Sequence, residues 1–259
     1  MKKLLKKIIT PHRYSFLRDM YFYYFPTKIH RKEFQKKYDF YSSFVCPDSL
    51  CFDIGANMGN RIAPILKIGA KVVAVEPQTD CVRYLKMKYR SKIDIVAKGA
   101  GASIGTKDFY VSNDSVLSSF SKDWIDATHE RFSSFKWEEH PIQIEMTTLD
   151  CLIEQYGLPK FIKIDVEGFE LEVLKGLTQS IPIISFEYAV PENFAQMVEC
   201  IKRMEEINKD IEFNYCEGEG MKFFFDKWLL SNEMIEYVSK KEFLDSLFGD
   251  IYVREIVKR

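Results

Sequence analysis

The stretch from Cys51 to Asn60 constrains this 259-residue chain more than any other segment. Its first half is an apolar strand pattern, Leu50–Ile54, in which Asp53 stands next to the end. Its second half is a turn of Gly and Asn residues that leads into a helical pattern, Arg61 to Ile68. A strand that ends in such a turn before a helix brings backbone N–H groups and a positive helix end together beside the carboxylate. The stretch therefore predicts a pocket for a small ligand that carries charges of both signs.

Strand patterns and helix patterns alternate for more than a hundred residues after this turn, which is typical of a parallel sheet with helices on both faces. The predicted strands are Leu50–Ile54, Lys71–Glu76, Ile93–Ala97, Lys160–Asp165 and Ile181–Glu187. The predicted helices are Asn60–Ile68, Pro77 to about Tyr89, Leu149–Tyr156, a stripe from Val166 to Leu177, and Asn193–Ile207. A further strand pair is predicted at Phe109–Val111 and Ile142–Met146, and three segments compete for the last two strands, namely Ile211–Tyr215, Lys222–Phe225 and Ile251–Arg254. The pattern predicts an α/β fold with a doubly wound, mostly parallel sheet of about seven strands.

The chain divides by composition into a basic, aromatic start and an acidic body. Residues 1–37 hold eleven Lys/Arg and two acids, whereas the whole chain has a net charge of −1. We therefore expect residues 1–45 to be a helical extension or lid over a main domain at 46–259, with weak contact to a membrane surface through residues 1–37 as the alternative. We expect no nucleic-acid partner, and the sequence leaves the oligomeric state open.

Neither a membrane span nor a disulfide framework is indicated. No run approaches the roughly 18 apolar residues that a spanning helix needs. The six cysteines contain no C-x-x-C pair and lie in no Cys/His cluster, so we expect reduced thiols, a cytoplasmic protein and no metal centre.

The segment 112–141 is polar, aromatic and irregular. An insertion of that length inside a compact domain is more often functional than idle. We therefore expect it on the substrate side of the site, where His129 and His140 are outside candidates for a catalytic base.

The first turn is spaced like a nucleotide-binding loop, Asp53-x-Gly55-x-Asn57-x-Gly59. Gly55 permits a tight turn, Asn57 tolerates a left-handed backbone, and Gly59 would let a ligand approach the backbone. Asn57 and Asn60 occupy two of the three glycine positions of the dinucleotide fingerprint, and no Gly-Lys-Ser/Thr of a P-loop follows. The turn predicts a nucleotide-like ligand other than a dinucleotide, with an ordinary strand-to-helix connection as the alternative.

Glu76 and Pro77 follow the second predicted strand, and Glu76 lies 23 residues after Asp53. An acid at this position can accept both hydroxyls of a ribose. It can also be a helix-start acid that the helix dipole stabilises. Combined with the first turn, Glu76 indicates a ribose-bearing ligand.

Charged residues also end the later strands. Lys163 and Asp165 alternate along a strand that is otherwise apolar, and neither belongs in such a strand without a partner. Asp165 can alternatively be a helix N-cap. Glu187 ends the fifth predicted strand. Because the carboxyl ends of parallel strands meet at one edge, we expect Asp53, Glu76, Asp165 and Glu187 to converge there.

These motifs resemble the FkbM family of S-adenosylmethionine-dependent methyltransferases. The resemblance is carried by Phe52 to Asn60, Val75-Glu76-Pro77, Thr148-Leu149-Asp150, Lys163 to Glu170, and Leu174-Lys175-Gly176. It covers residues 48–190 and implies a Rossmann-like class I methyltransferase sheet and O-methylation of sugars, glycans or natural products. It also implies that Asp53, Gly55, Asn57, Gly59 and Asn60 hold the methionine part of the cofactor, Glu76 and Pro77 the ribose, and Gly99 and Ala100 the adenine.

The implied reaction is an in-line methyl transfer, for which orientation supplies much of the rate. We expect Asp165 or Glu187 to accept the proton of a substrate hydroxyl, with Lys163 fixing the carboxylate. A protein that binds a nucleotide without catalysis and an NAD-dependent dehydrogenase are the alternatives.

Overall fold

The computed structural model describes Leu17, Tyr21 and residues 25–256, so most of the basic arm lies outside the described residues. The described helices are α1 Lys28–Ser42, α2 Ile62–Ile68, α3 Thr79–Tyr89, α4 Lys122–Thr128, α5 Leu149–Tyr156, α6 Glu170–Lys175, α7 Phe194–Ile207, α8 Ser231–Val238 and α9 Lys241–Leu244. The strands are β1 Leu50–Ile54, β2 Lys71–Val75, β3 Asp94–Val96, β4 Gly99–Ala100, β5 Gly105–Phe109, β6 Ile142–Thr147, β7 Phe161–Ile164, β8 Ile183–Ala189, β9 Ile211–Glu217 and β10 Phe248–Glu255. None of the described helices is long and apolar enough to cross a membrane.

Seven strands form the central sheet in the order β3-β2-β1-β7-β8-β10-β9. All neighbours from β3 to β8 are parallel, and β10 is antiparallel to both β8 and β9. The chain winds outward from β1 in one direction and from β7 in the other. This arrangement confirms the predicted doubly wound, mostly parallel sheet with a helical N-terminal extension.

Helices cover both faces of the sheet because its central strands are apolar on both faces. Side chains alternate along a strand, so neighbouring residues enter different cores. Phe52 and Ile162 pack in one core, while Cys51 and Phe161 pack in the other. Helix α1 belongs to the second core through Tyr41, whose ring contacts Phe161.

A small sheet stands beside the large one, with β6 between β4 and β5. The prediction placed one of its strands at Phe109–Val111, and that position is wrong: β5 ends at Phe109, which pairs with Ile142. The following segment contains α4 and a separate small core of Leu117, Trp124 and Ile125. The insertion therefore has its own packing unit.

Helices α2 and α6 begin later than predicted because the chain turns first. Helix α2 begins at Ile62, after Asn57 and Gly59 adopt positive φ angles of 46° and 69°. Helix α6 begins at Glu170, after Glu167 and Gly168 adopt φ angles of 53° and 84°. Left-handed residues cannot continue an α-helix, and both turns lie at the same edge of the sheet.

The order of the last strands follows from the C-terminal segment, which inserts between β8 and β9. The segment Lys222–Phe225, which competed for a strand, is irregular. Because β10 runs antiparallel, its first residues, Phe248 to Asp250, lie at the edge where β1, β7 and β8 end.

Candidate active site

An open cleft of about 250 Å³ lies at the carboxyl edge of the sheet, around the ends of β1, β2, β7 and β8. Ligand pockets generally occupy about 300–1,000 Å³, so the volume of this cleft is close to the lower end of that range. Ten of the residues singled out in the sequence line it: Asp53, Gly55, Asn57, Asn60, Glu76, Pro77, Gly99, Ala100, Asp165 and Glu187. Gly59 and Lys163 do not.

The turn after β1 brings two strand ends into contact. Gly55 has a φ of 80°, and a Cβ atom there would lie 1.8 Å from the carbonyl oxygen of Asp165. Gly59 serves a different purpose from the one expected. A Cβ atom at Gly59 would lie 2.9 Å from side-chain atoms of both Leu85 and Tyr89, so this glycine permits packing against α3 rather than approach of a ligand.

Glu76 is buried at the end of β2 and holds the turn that follows β1. Its Oε2 accepts a hydrogen bond from the Asn57 backbone N–H at 2.8 Å, and its Oε1 accepts one from the Gln78 N–H at 2.7 Å. Burial raises the pKa of Glu76 to about 7, against the opposing effect of these two hydrogen bonds. Each oxygen retains a second lone pair that can accept a ligand hydroxyl.

Asp53 is 4% exposed, and its Oδ2 has no hydrogen-bond partner among the described residues. Burial raises the pKa of Asp53 to about 6, although Lys163 and Arg61 oppose the shift. A buried carboxylate oxygen without a partner is costly, which indicates a cationic or donor group in the cleft.

Lys163 is 1% exposed and forms two ion pairs beneath the cleft. Its Nζ lies 2.5 Å from Asp250 Oδ1 and 3.3 Å from Asp165 Oδ2. Burial alone would lower the pKa of Lys163, but the adjacent carboxylates raise it, so the ammonium stays charged. Lys163 thus acts on the cleft through Asp165.

Three carboxylates form an acidic cluster at the far end of the cleft. Side-chain oxygens of Asp165, Glu167 and Glu187 lie within 4.8 Å of one another. Burial would raise the pKa of Asp165, but Lys163 and Arg61 outweigh it and hold the pKa below its usual range. Burial and the Asp165 charge raise the pKa of both Glu167 and Glu187 well above the usual range. Asp165 is therefore the most readily ionised member of the acidic cluster.

Sequence reasoning missed Arg61, Glu219 and Asp250. The guanidinium of Arg61 donates two hydrogen bonds to the Glu219 carboxylate, at 2.6 and 2.9 Å, and lies 3.9 Å from Asp250 Oδ2. Lys37 of α1 lies 3.3 Å from the same Glu219 carboxylate. The requirement that a buried charge be paired would have singled out Asp250, which precedes the apolar run Ile251–Val253.

The insertion contacts the walls of the cleft through serine and glutamine hydrogen bonds. Ser115 Oγ lies 3.3 Å from Asn57 Oδ1, and the Gln78 side chain donates to the Ser115 carbonyl at 2.8 Å. Ser119 Oγ donates to the Glu167 carbonyl at 2.6 Å. The insertion thus contacts both ends of the cleft.

The two histidines suggested as outside candidates for a base are placed elsewhere. His129 and His140 are exposed, and neither lines the cleft.

The comparison with protein families agrees with this geometry. Residues 53–240 match the Methyltransferase FkbM domain, which is most of the chain. The chain belongs to the FkbM methyltransferase family. Members of this family use S-adenosylmethionine as the methyl donor, so the resemblance noted in the sequence is confirmed.

The individual relatives named here share low sequence identity with this FkbM chain. It is 29% identical over 142 residues to the hexuronic acid methyltransferase AglP of Haloferax volcanii, an alignment that spans 54% of each protein. Among solved structures, it resembles a TehB-like SAM-dependent methyltransferase of Corynebacterium glutamicum, with 11% identity, a TM-score of 0.47 and coverage of 94% and 97%. It also resembles a precorrin-6y C5,15-methyltransferase of Geobacter metallireducens, with 8% identity, a TM-score of 0.44 and coverage of 85% and 88%.

The residues of the cleft fit the cofactor of the FkbM family. S-adenosylmethionine carries a sulfonium, an ammonium, a carboxylate and two ribose hydroxyls. The unpartnered Oδ2 of Asp53 suits the ammonium, and the free lone pairs of Glu76 suit the ribose hydroxyls.

Proposed function

We propose that this FkbM-family chain transfers a methyl group from S-adenosylmethionine to a hydroxyl oxygen of a sugar, in a glycan or a smaller metabolite. The observation that carries the proposal is the position of Asp165. Its carboxylate lines the cleft, Lys163 lies 3.3 Å behind it, and Glu187 stands beside it. The hexuronic acid methyltransferase among the relatives supports a sugar as the class of acceptor.

One end of the cleft is assigned to the cofactor. Asp53 would hold the ammonium, and Glu76, at the end of the neighbouring strand β2, would hold the ribose. Gly99 and Ala100, which are buried in β4, would pass along the adenine. When bound, the cofactor supplies an activated methyl group on a positively charged sulfur. The turn with Asn57 and Asn60 would contribute polar groups beside the methionine part.

The other end of the cleft is assigned to the acceptor. Ionised Asp165 accepts a hydrogen bond from the acceptor hydroxyl and thereby orients its oxygen. The proton leaves to the acidic cluster, where Lys163 offsets part of the negative charge. Glu187 lies within reach of the same proton, and its raised pKa makes it the stronger base once it is ionised. Lys163 is therefore a positioning residue, and Asp165 is the group that touches the acceptor.

The insertion at 112–141 is assigned to both ligands rather than to the acceptor alone. Ser115 and Ser118 contact the cofactor end through Asn57 and Gln78, while Ser119 fixes the loop at Glu167. Helix α1, within the proposed extension 1–45, reaches the cleft through Lys37 and Glu219. These contacts shield the reaction from water.

Transfer of labelled methyl groups into a cell extract tests the proposal. The extract comes from source cells that lack the gene, so that the unmethylated acceptor is present. Asp165→Asn should reduce incorporation about 10²–10⁴-fold, because a proton acceptor is lost. Its affinity for S-adenosylhomocysteine should stay within about twofold of the native value, since Asp165 belongs to the acceptor end.

Asp126→Asn on the exposed face of α4 is the matched control and should behave like the native protein. Native incorporation by Asp165→Asn removes this residue from the mechanism. Cofactor binding without incorporation by the native protein would instead favour a non-catalytic binding protein.

A further inference from the structure

The acceptor end of the cleft is surrounded by acids whose neighbouring cations are already paired. Lys163 is held between Asp165 and Asp250, and Arg61 is held by Glu219 and Asp250. Among the residues that line the cleft, six are acidic and two, Arg61 and Lys98, are basic.

Lys98 is the other basic residue of the cleft lining. It precedes Gly99 at the cofactor end, and its Nζ lies 3.1 Å from Glu145. Arg131 of the insertion, the next cation towards the acidic cluster, lies 3.1 Å from Glu192. The four cations named here, Lys163, Arg61, Lys98 and Arg131, therefore each have a carboxylate partner already.

Bound S-adenosylmethionine would add a net charge of only +1 to the cleft. Its sulfonium and ammonium carry two positive charges, and its carboxylate cancels one of them. Asp53 also lines this cleft, and its buried Oδ2 has no hydrogen-bond partner among the described residues. It therefore requires a hydrogen-bond donor or a cation as well. An acidic sugar would place its carboxylate beside ionised Asp165, with the partly buried Glu167 and Glu187 next to it, and the like charges would repel each other.

An apolar surface stands beside the acids. Phe248 lines the cleft and is 43% exposed, so its ring is open to contact with a ligand. It shares a face of β10 with Asp250, which pairs in register with Glu187. A sugar has an apolar face of C–H groups and a rim of hydroxyl donors, and this pairing of an aromatic ring with carboxylates matches both.

From these observations we infer that the acceptor is a sugar without an acidic group, which packs its apolar face on Phe248 and donates hydroxyls to Asp165, Glu167 and Glu187. The inference rests on the proposed function and narrows its acceptor. The hydroxyl oxygen forms the new bond to the methyl carbon, the sulfur–methyl bond breaks with its electrons left on sulfur, and the hydroxyl proton passes to a carboxylate. The products are a methyl ether and S-adenosylhomocysteine.

The test uses the full chain, labelled S-adenosylmethionine and an extract of source cells that lack the gene. Mild alkali first releases label from any methyl ester as methanol and leaves methyl ethers intact. The remaining glycans are hydrolysed to monosaccharides, which are separated on an anion exchanger. The inference predicts label that resists alkali and passes through the exchanger. Label that alkali releases, or that the exchanger retains, overturns the inference and leaves methyl transfer standing.

A divalent cation bound to the acidic cluster is the alternative to test. The carboxylate oxygens of Asp165, Glu167 and Glu187 lie within 4.8 Å of one another, which is close enough to hold such an ion. The inference predicts equal incorporation with EDTA and with added Mg²⁺. Loss of incorporation in EDTA that Mg²⁺ restores overturns it. No incorporation under either condition, from protein that binds S-adenosylhomocysteine, contradicts the proposed function and the inference with it.

Two variants test the residues named. Phe248→Ala and Glu167→Lys should each lower incorporation into the uncharged sugar at least tenfold. Glu217→Lys, on the exposed end of β9 and outside the cleft, should match the native protein. Thermal melting of each variant confirms folding, and unchanged incorporation by folded Phe248→Ala and Glu167→Lys overturns the inference.

Discussion

Asp250 Oδ1 accepts a hydrogen bond from Lys163 Nζ at 2.5 Å, and this pair joins the antiparallel strand β10 to the parallel strand β7 across β8. Both side chains are almost completely buried. Lys163 also lies 3.3 Å from Asp165 Oδ2, so the pair couples the stability of the sheet edge to the position of the Asp165 carboxylate.

Asp250→Ala should destabilise the protein by about 3 kcal/mol, because removing one partner leaves a buried charge with less compensation. Urea unfolding measures the change. Asp226→Ala, at an exposed aspartate, is the control and should cost no more than about 0.5 kcal/mol. A loss below about 1 kcal/mol for Asp250→Ala would show that Asp165 alone satisfies Lys163.

Glu76→Gln should weaken binding of S-adenosylmethionine at least about tenfold, because a hydrogen bond to a charged acceptor contributes about 1.5–3 kcal/mol. Isothermal calorimetry measures the affinity. Glu154→Gln, on the exposed face of α5, preserves the same change of charge away from the cleft and should bind normally. Equal affinities for the two variants would remove Glu76 from the ribose site.

Cofactor affinity should depend on pH through the acids of the cofactor end. The free protein has a pKa of about 7 at Glu76 and about 6 at Asp53, both raised by burial. Below these values the carboxyls are neutral and lose their attraction for ribose hydroxyls and for the ammonium. The affinity should therefore fall about tenfold between pH 8 and pH 6, since one pH unit below a pKa leaves about a tenth of the group ionised.

Calorimetric titrations at both pH values check this dependence. In Glu76→Gln the fall should be smaller, because only Asp53 still titrates. An affinity that rises as the pH falls has the opposite sign and would contradict the assignment of both acids.

Gly55→Ala should destabilise the protein far more than Gly69→Ala. Both glycines have positive φ angles, of 80° and 99°, so alanine costs each about 1–2 kcal/mol of backbone strain. A Cβ atom at Gly69 would only contact Pro47 at 3.5 Å, whereas at Gly55 it would overlap the Asp165 carbonyl oxygen at 1.8 Å. Urea unfolding of both variants gives the two losses of stability, and their difference is the cost of the overlap with Asp165. Equal losses would show that the ends of β1 and β7 can move apart without cost.

The central strands were predictable because their residues must be apolar on both faces. Leu50–Ile54 was predicted with the observed bounds, β2 is one residue shorter than predicted at its end, and β7 is one residue shorter at each end. The strand near Phe109 was misplaced because β5 is mostly exposed and carries little hydrophobic signal. The insertion of β10 between β8 and β9 depends on long-range strand pairing, which the periodicity of hydrophobic residues does not predict.

The convergence of the acids was predictable for the same topological reason. Asp53, Glu76, Asp165 and Glu187 stand at the ends of parallel strands, which share one edge. Asp250 stands near the start of its strand and reaches that edge only because β10 runs antiparallel.

The structural role of a residue was also harder to predict than its position. Gly59 fits a ligand-binding pattern, but it faces α3, because its spacing in the chain does not fix which neighbour it meets.

The central claim is that the cleft at the carboxyl ends of β1 and β7 is an S-adenosylmethionine site. Calorimetric titration of the native chain with S-adenosylmethionine and, separately, with NAD tests it most directly. The account predicts saturable binding of S-adenosylmethionine at one site per chain, lost in Glu76→Ala, and no binding of NAD. Binding of NAD in its place, or affinity for S-adenosylmethionine that Glu76→Ala leaves unchanged, would contradict it.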